Sequence, residues 1–231
     1  IAYKDMINNV MTGDARIETY SQEFITILQN FNGVTFSKMF LLDFIYKPYF
    51  SIYLIFISII AVNVFSNDYK SGNLEFALLT NTTVTQLYLG KVLFMMLVST
   101  IIVSINFILS LILGQIAFGG SIPVAELLEV LVLYFISVIP AVAFSLIISL
   151  ISLTKLSPNV IIGASIGVII LFGIIDTLTK FKYISPIGIL SFFEQGIPSF
   201  NISMIISLGM AVIYILLLSI GLVKVINKVD Y

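Results

Sequence analysis

Residues 92–118 read VLFMMLVSTIIVSINFILSLILGQIAF, a run without a single Asp, Glu, Lys or Arg. A helix rises ~1.5 Å per residue, so roughly 20 such residues cross the ~30 Å hydrocarbon core of a bilayer. The run is longer than a perpendicular crossing needs, which predicts a tilted helix or one that projects beyond the membrane. Four more stretches have the same character: 44–65, 130–153, 160–178 and 202–226. Two or three apolar runs can be core helices of a large soluble protein. Five within 231 residues cannot. The fold class that follows is all-α: a polytopic helical membrane protein with five transmembrane helices, multi-pass in the cell (plasma) membrane.

Composition agrees. Apolar residues make up 59% of the chain and charged residues 10%, with a mean hydropathy of +1.14. Soluble domains run at roughly 45–50% and about 25%, so this chain has too little polar surface to cover a globule in water. With neither His nor Cys, it has no Ser-His-Asp triad, thiolate nucleophile, zinc-type His/Cys site or disulfide. A net charge of −1 gives no electrostatic footprint for nucleic acid. The first residue is Ile, which reads as a fragment or a processed product.

The span boundaries carry helix-start chemistry. Thr83-Val84-Thr85-Gln86 has the spacing of a capping box, in which the Thr83 hydroxyl accepts from the Gln86 N–H while the Gln86 side chain reaches back. Ser121 before Pro123, and Ser157 directly before Pro158, read as N-caps with proline in the first turn. The tight Ser157-Pro158 connection predicts an antiparallel hairpin of the third and fourth spans. Between the fourth and fifth spans, Ser185 and Pro186 are set to start a helix of about ten residues, with Gly196 to end it. Such a helix is too short to cross, so it is interfacial or re-entrant. Residues 1–39 are polar, with room for a short helix over 20–28, and form a segment outside the transmembrane domain of 40–231. Lys and Arg divide five against four across the two sides of a five-span topology, so charge bias leaves the orientation open.

The most distinctive polar stretch is the loop 66–91, SNDYKSGNLEFALLTNTTVTQLYLGK. Residues 73–80 favour a short helix, with Glu75 in its early turns and Leu74, Ala77 and Leu78 on one face. At a membrane surface such a helix either floats among headgroups or docks into another protein.

The ordered set Asp68, Gly72, Leu74, Glu75, Leu78, Gln86, Gly90 and Lys91 resembles the corresponding loop of permease subunits of ABC type-2 exporters. The resemblance extends to short outer helices before the last span and to a basic-acidic tail from Lys224 to Asp230. It implies that 66–91 is cytoplasmic and that 73–80 is a coupling helix docking into a separate ABC ATPase subunit. It also implies a homo- or heterodimer with a second permease. Family members usually have six spans, and the one missing here should precede Ile1, which would make 1–39 an outer segment. Family members often carry Pro and a basic residue near Asn81 and Val84, where this chain has neither. The chain holds no phosphate cradle of its own: Lys91 is followed by Val92, and position 85 is Thr. Under this reading the chain is not an enzyme and has no cofactor, ATP and Mg being bound by the ATPase partner. Other partners are membrane lipids, with no nucleic acid.

Three other features were weighed. Gly163 and Gly167 form a small-xxx-small face in the fourth span, for which intramolecular packing ranks ahead of a dimer contact. Pro140 removes a backbone donor inside the third span and predicts a bend after Ile136. Asp176 is the one acid well inside an apolar block. Its proximity to Lys180 reads most simply as a snorkelling interfacial pair, and an ion path is the alternative. An ion-coupled secondary transporter or channel is accordingly the second function class. An intramembrane aspartyl enzyme ranks last, because no second acid lies deep in a span.

Overall fold

The structure, a computed structural model, describes residues 31–47, 50–70, 83–154, 156–193 and 202–226, except for the side chains of 67–70, 180 and 226. The expected helices over 20–28 and 73–80, residues 194–201 and the tail beyond 226 lie outside the described residues. Within them the fold is helical throughout: α1 (Gly33–Phe44), α2 (Ile52–Lys70), α3 (Val84–Phe118), α4 (Val124–Ile136), α5 (Val138–Ser152), α6 (Pro158–Leu178) and α7 (Ile202–Ile226). Two 3₁₀ turns, Lys180–Tyr183 and Gly188–Phe193, stand between α6 and α7.

Four helical stretches are long and apolar enough to cross a membrane: Val84–Phe118, Val124–Ser152, Pro158–Leu178 and Ile202–Val225. At 35 residues α3 is about 52 Å long, well beyond a perpendicular crossing, as its sequence predicts. Leu93, Leu171 and Leu217 are each more than half exposed on α3, α6 and α7. On a soluble protein such surfaces would drive aggregation, whereas in lipid they need no partner. Four long apolar helices suggest a membrane-spanning protein.

The first expected span, 44–65, is not one helix. α1 ends at Phe44, the chain leaves helical geometry, and α2 starts at Ile52. Lys47 precedes a proline in sequence, which disfavours helical geometry at Lys47. Ser51 then caps α2: its hydroxyl donates to the Ile45 carbonyl at 2.7 Å and accepts the Leu54 N–H at 3.3 Å. The apolar stretch left in α2, Ile52–Ser66, measures about 22 Å, short of the ~30 Å core.

The described residues belong to two compact units. One comprises Ile1–Leu41 and Ser104–Tyr134; the other comprises Leu42–Val103 and Phe135–Tyr231. In the first unit, α1, the second half of α3 and α4 meet around a buried hydroxyl cluster. Ser37 and Ser110 lie 2.8 Å apart, Ser110 lies 3.1 Å from the Tyr134 hydroxyl, and that hydroxyl donates to the Ser37 carbonyl at 3.2 Å. Each polar group is satisfied, as burial in an apolar unit requires. Asn32 caps α1 by accepting the Val34 and Thr35 N–H groups at 2.9 and 3.0 Å. Gly119 and Gly120 turn the chain from α3 to α4 at φ of 70° and 86°, a region other residues rarely enter. The first N-cap expectation is corrected here. Pro123, not Ser121, holds the cap position, and its carbonyl accepts the Leu127 N–H at 3.0 Å.

The second unit is organised around α5, which is buried along most of its length and packs against α2, α6 and α7. Ala141, Ala143, Ser145 and Ser149 keep its surface low, which suits close helix approach. As Pro140 predicts, the helix is interrupted between Ile136 and Val138. Ser157 occupies the α6 cap with extended backbone and Pro158 follows it, but the Ser157 hydroxyl makes no capping bond.

Over its described part, the expected ten-residue helix after Ser185 is replaced by the second 3₁₀ turn, Gly188–Phe193. Gly188 N–H bonds the Ser185 carbonyl and Leu190 N–H the Ile187 carbonyl, both three residues back. The stretch 187–193 is apolar at almost every position, so it has no polar face to leave in water. It is instead buried against α6 and α7, and Phe193 stacks on Tyr46 with ring centroids 3.9 Å apart.

Candidate functional site

The sequence places the functional signal in the connection between α2 and α3. Thr83 and Gln86 form the capping box: Thr83 N–H donates to the Gln86 side-chain oxygen at 3.0 Å, and Gln86 N–H donates to the Thr83 hydroxyl at 3.2 Å. Two of the donors that a helix start leaves unpaired are thereby satisfied reciprocally. Gln86 and Gly90 are exposed. Lys91 is not: it is 8% exposed, and its ammonium lies 5.4 Å from the centre of the Phe65 ring on α2. Of the ordered set, Asp68 lies in the last turns of α2. Gly72, Leu74, Glu75 and Leu78 lie outside the described residues.

One turn before Lys91, Tyr88 faces the same way. Its ring packs on Phe65 with centroids 5.7 Å apart, and its hydroxyl is hydrogen-bonded to the Ser149 hydroxyl of α5. The first two turns of α3 are thus tied both to the end of α2 and to the buried central helix. Aromatic packing and a buried hydroxyl pair are stiff connections, since each group would lose its partner if α3 moved alone. Neither Tyr88 nor Ser149 stands out in the sequence, because 61 positions separate them. On the other side of α3, Thr85, Leu89 and Val92 face Ser219, Val223 and Lys224 of α7 across an apolar groove of about 320 Å³.

The remaining sequence candidates fall in less expected places. A side chain added at Gly163 or Gly167 would meet nothing within 4 Å, so the small-xxx-small face points out of the unit and serves no contact within it. We expect Gly163→Leu with Gly167→Leu to leave the chain at least as stable as the native one, because nothing is displaced and leucine favours a helix over glycine. Thermal unfolding in detergent measures this, and a loss of about 2 kcal/mol or more would show that the face is packed internally. Glu129 pairs with Lys38 at 3.4 Å, an arrangement half open to water and of small energetic weight. Asp43 and Lys47 are paired at 3.8 Å at an exposed position.

Asp176 is more buried than a snorkelling acid, and the side chain of Lys180, its expected partner, lies outside the described residues. Asp176 is 1% exposed and does not snorkel to the interface, because the 3₁₀ turns fold back against α6. Ser185 and Lys182, both from that connection, are the groups that act on it. Among the described residues no group of three or more acidic, His or Cys side chains is placed to hold a metal ion. No family model matches the chain, and neither a curated protein nor a solved structure does.

Proposed function

We propose that this chain is the membrane-spanning permease subunit of an ATP-driven ABC exporter, in the plasma membrane, acting with a separate ATPase subunit and a second permease. The observation that carries the proposal is the polar connection from Asp68 to Lys91. It holds the ordered residues of a coupling loop, and it leads through the Thr83–Gln86 capping box into a helix tied to α2 and α5. α2 provides the fifth crossing, its apolar stretch extended by the more polar residues 67–70.

In this reading Leu74, Glu75 and Leu78 dock the 73–80 helix on the ATPase, which binds ATP and Mg. Gln86 holds the start of α3. Lys91 and Tyr88 have a different role from the docking residues: they face inward and join α3 to Phe65 and Ser149. A displacement of the coupling helix on ATP binding passes through α3 as a rigid-body shift, because the buried contacts have no slack to absorb it. α5, packed against three helices, distributes that shift.

Replacing Glu75 and Leu78 together by Ala removes the acidic and apolar anchors of the docking face. We expect ATPase binding to weaken about tenfold or more, equivalent to about 1.4 kcal/mol, with the permease still folded. Co-purification and substrate-stimulated ATP hydrolysis are the measurements. Wild-type values in both would remove the docking role.

A further inference from the structure

We propose that Asp176 is a proton-binding site closed over by the two 3₁₀ turns, and that release of the proton opens those turns. The proposal rests on placement. Asp176 sits near the end of α6, 1% exposed, and neither carboxylate oxygen reaches a hydrogen-bond partner at bonding geometry. An ionised carboxylate in that position has given up its water without replacement, a loss that relaxation offsets only in part. A protonated carboxyl avoids most of that loss. Its remaining needs are modest, and the Ser185 hydroxyl, itself fully buried beside it, can meet one of them.

The surroundings favour a proton over a metal cation. A hard cation takes about six oxygen ligands, and the ammonium of Lys182 acts on the same place with the same sign of charge. Lys182 is also the natural counter-charge for an ionised Asp176, yet it is turned elsewhere. Its ammonium lies 4.8 Å from the centre of the Phe192 ring, and its carbonyl accepts the Ser207 hydroxyl of α7 at 3.0 Å. Among the described side chains, the other elements against α6 supply little that titrates. α5 and the second 3₁₀ turn have no ionisable side chain. On α2, Tyr53 lies beside Ser99 and Ser137. Tyr183 in the first 3₁₀ turn packs edge-on against Phe192. Among the described side chains, loss of the proton therefore leaves a charge that water or a swing of Lys182 can satisfy, and both require the connection to move.

The chain has no native cysteine, which makes a single introduced thiol a clean reporter. Ser191, 6% exposed in the second 3₁₀ turn, is the position for it. In phosphatidylcholine nanodiscs, the labelling rate of Ser191→Cys is taken as a ratio to that of Ser191→Cys combined with Asp176→Asn, which keeps the same buried thiol and removes the ionisable carboxyl. The ratio is expected to rise about tenfold between about pH 5 and about pH 8 as the carboxyl gives up its proton. A flat ratio overturns the coupling. Infrared spectra of the unmodified chain at about pH 5 are expected to show the carbonyl stretch of a protonated carboxyl, shifted by carbon-isotope labelling of aspartate and lost in Asp176→Asn. Absence of an aspartate-derived band overturns the site, and it does so without relying on the fold of any variant. Neither measurement needs an ATPase, so the result stands apart from the permease proposal.

Discussion

Gly188→Ala is expected to destabilise the chain by about 3 kcal/mol or more, at the upper end of what overpacking costs. The added methyl would lie 2.7 Å from the carbonyl carbon of Lys182 and 2.9 Å from its Cα, with the carbonyl oxygen closer still. These are backbone atoms, so no rotamer change can make room. The carbonyl of Lys182 is held by the Ser207 hydroxyl, and Gly188 N–H is bonded to the Ser185 carbonyl. Relief requires the two 3₁₀ turns to separate. That would unstack Phe193 from Tyr46 and admit water to Ser185 and Asp176. Thermal unfolding in detergent would show a markedly lower midpoint. A stability within about 0.5 kcal/mol of the native one would mean that the turns are not packed as described.

The second large effect is expected at Gly114→Val, in the other unit. A Cβ at Gly114 would lie 2.7 Å from the Cβ of Phe36 and 3.0 Å from both the Cα and the carbonyl oxygen of Gly33. Gly33 is equally crowded, with the Gln115 backbone nitrogen 3.0 Å from where its own Cβ would stand. The pair lets α1 and α3 touch backbone to backbone. Close approach of this kind is how helices associate in a medium where apolar side chains gain nothing by leaving lipid. Valine adds branching at the contact and forces α1 away from α3. The Ser37–Ser110–Tyr134 cluster would then open, leaving buried hydroxyls unsatisfied at about 1–3 kcal/mol each. We expect a total loss of about 3 kcal/mol or more, checked by the same unfolding measurement and by protease access to α1. Unchanged values in both would contradict the contact.

What could be read from the sequence divides along physical lines. The long apolar runs and the capping box at Thr83 and Gln86 were legible because both are local. A span needs only length and hydropathy, and a capping box needs only two side chains three residues apart. The break before Ile52 was missed because an apolar count passes over Lys47 and the proline after it, although both signal a stop. The 3₁₀ turns were missed for a related reason. Ser185, Pro186 and Gly196 are helix punctuation, but 187–193 has no helical period, and burial on every side selected a tighter path.

Contacts between distant positions gave no signal at all. Tyr134 meets Ser37 across 97 residues, and Tyr88 meets Ser149 across 61. Asp176 was visible as an acid in an apolar block, but sequence spacing pointed to Lys180 as its partner. The fold brings Ser185 and Lys182 to it by reversing the chain, and the side chain of Lys180 lies outside the described residues. Within the candidate coupling site, Lys91 looked equivalent to Gln86 in the motif. Burial separates them: Gln86 caps from outside, and Lys91 packs on Phe65 within.

The central claim is that this chain works with a separate ATPase engaged through the loop between α2 and α3. The most direct test is to purify the tagged chain from its native membrane without cross-linking, then identify what accompanies it and at what ratio. The account predicts an ATPase subunit with a phosphate-binding G-x-x-x-x-G-K-[ST] loop, at one copy per permease chain, released by Glu75→Ala with Leu78→Ala. A chain that comes out folded and free of any ATPase would contradict it.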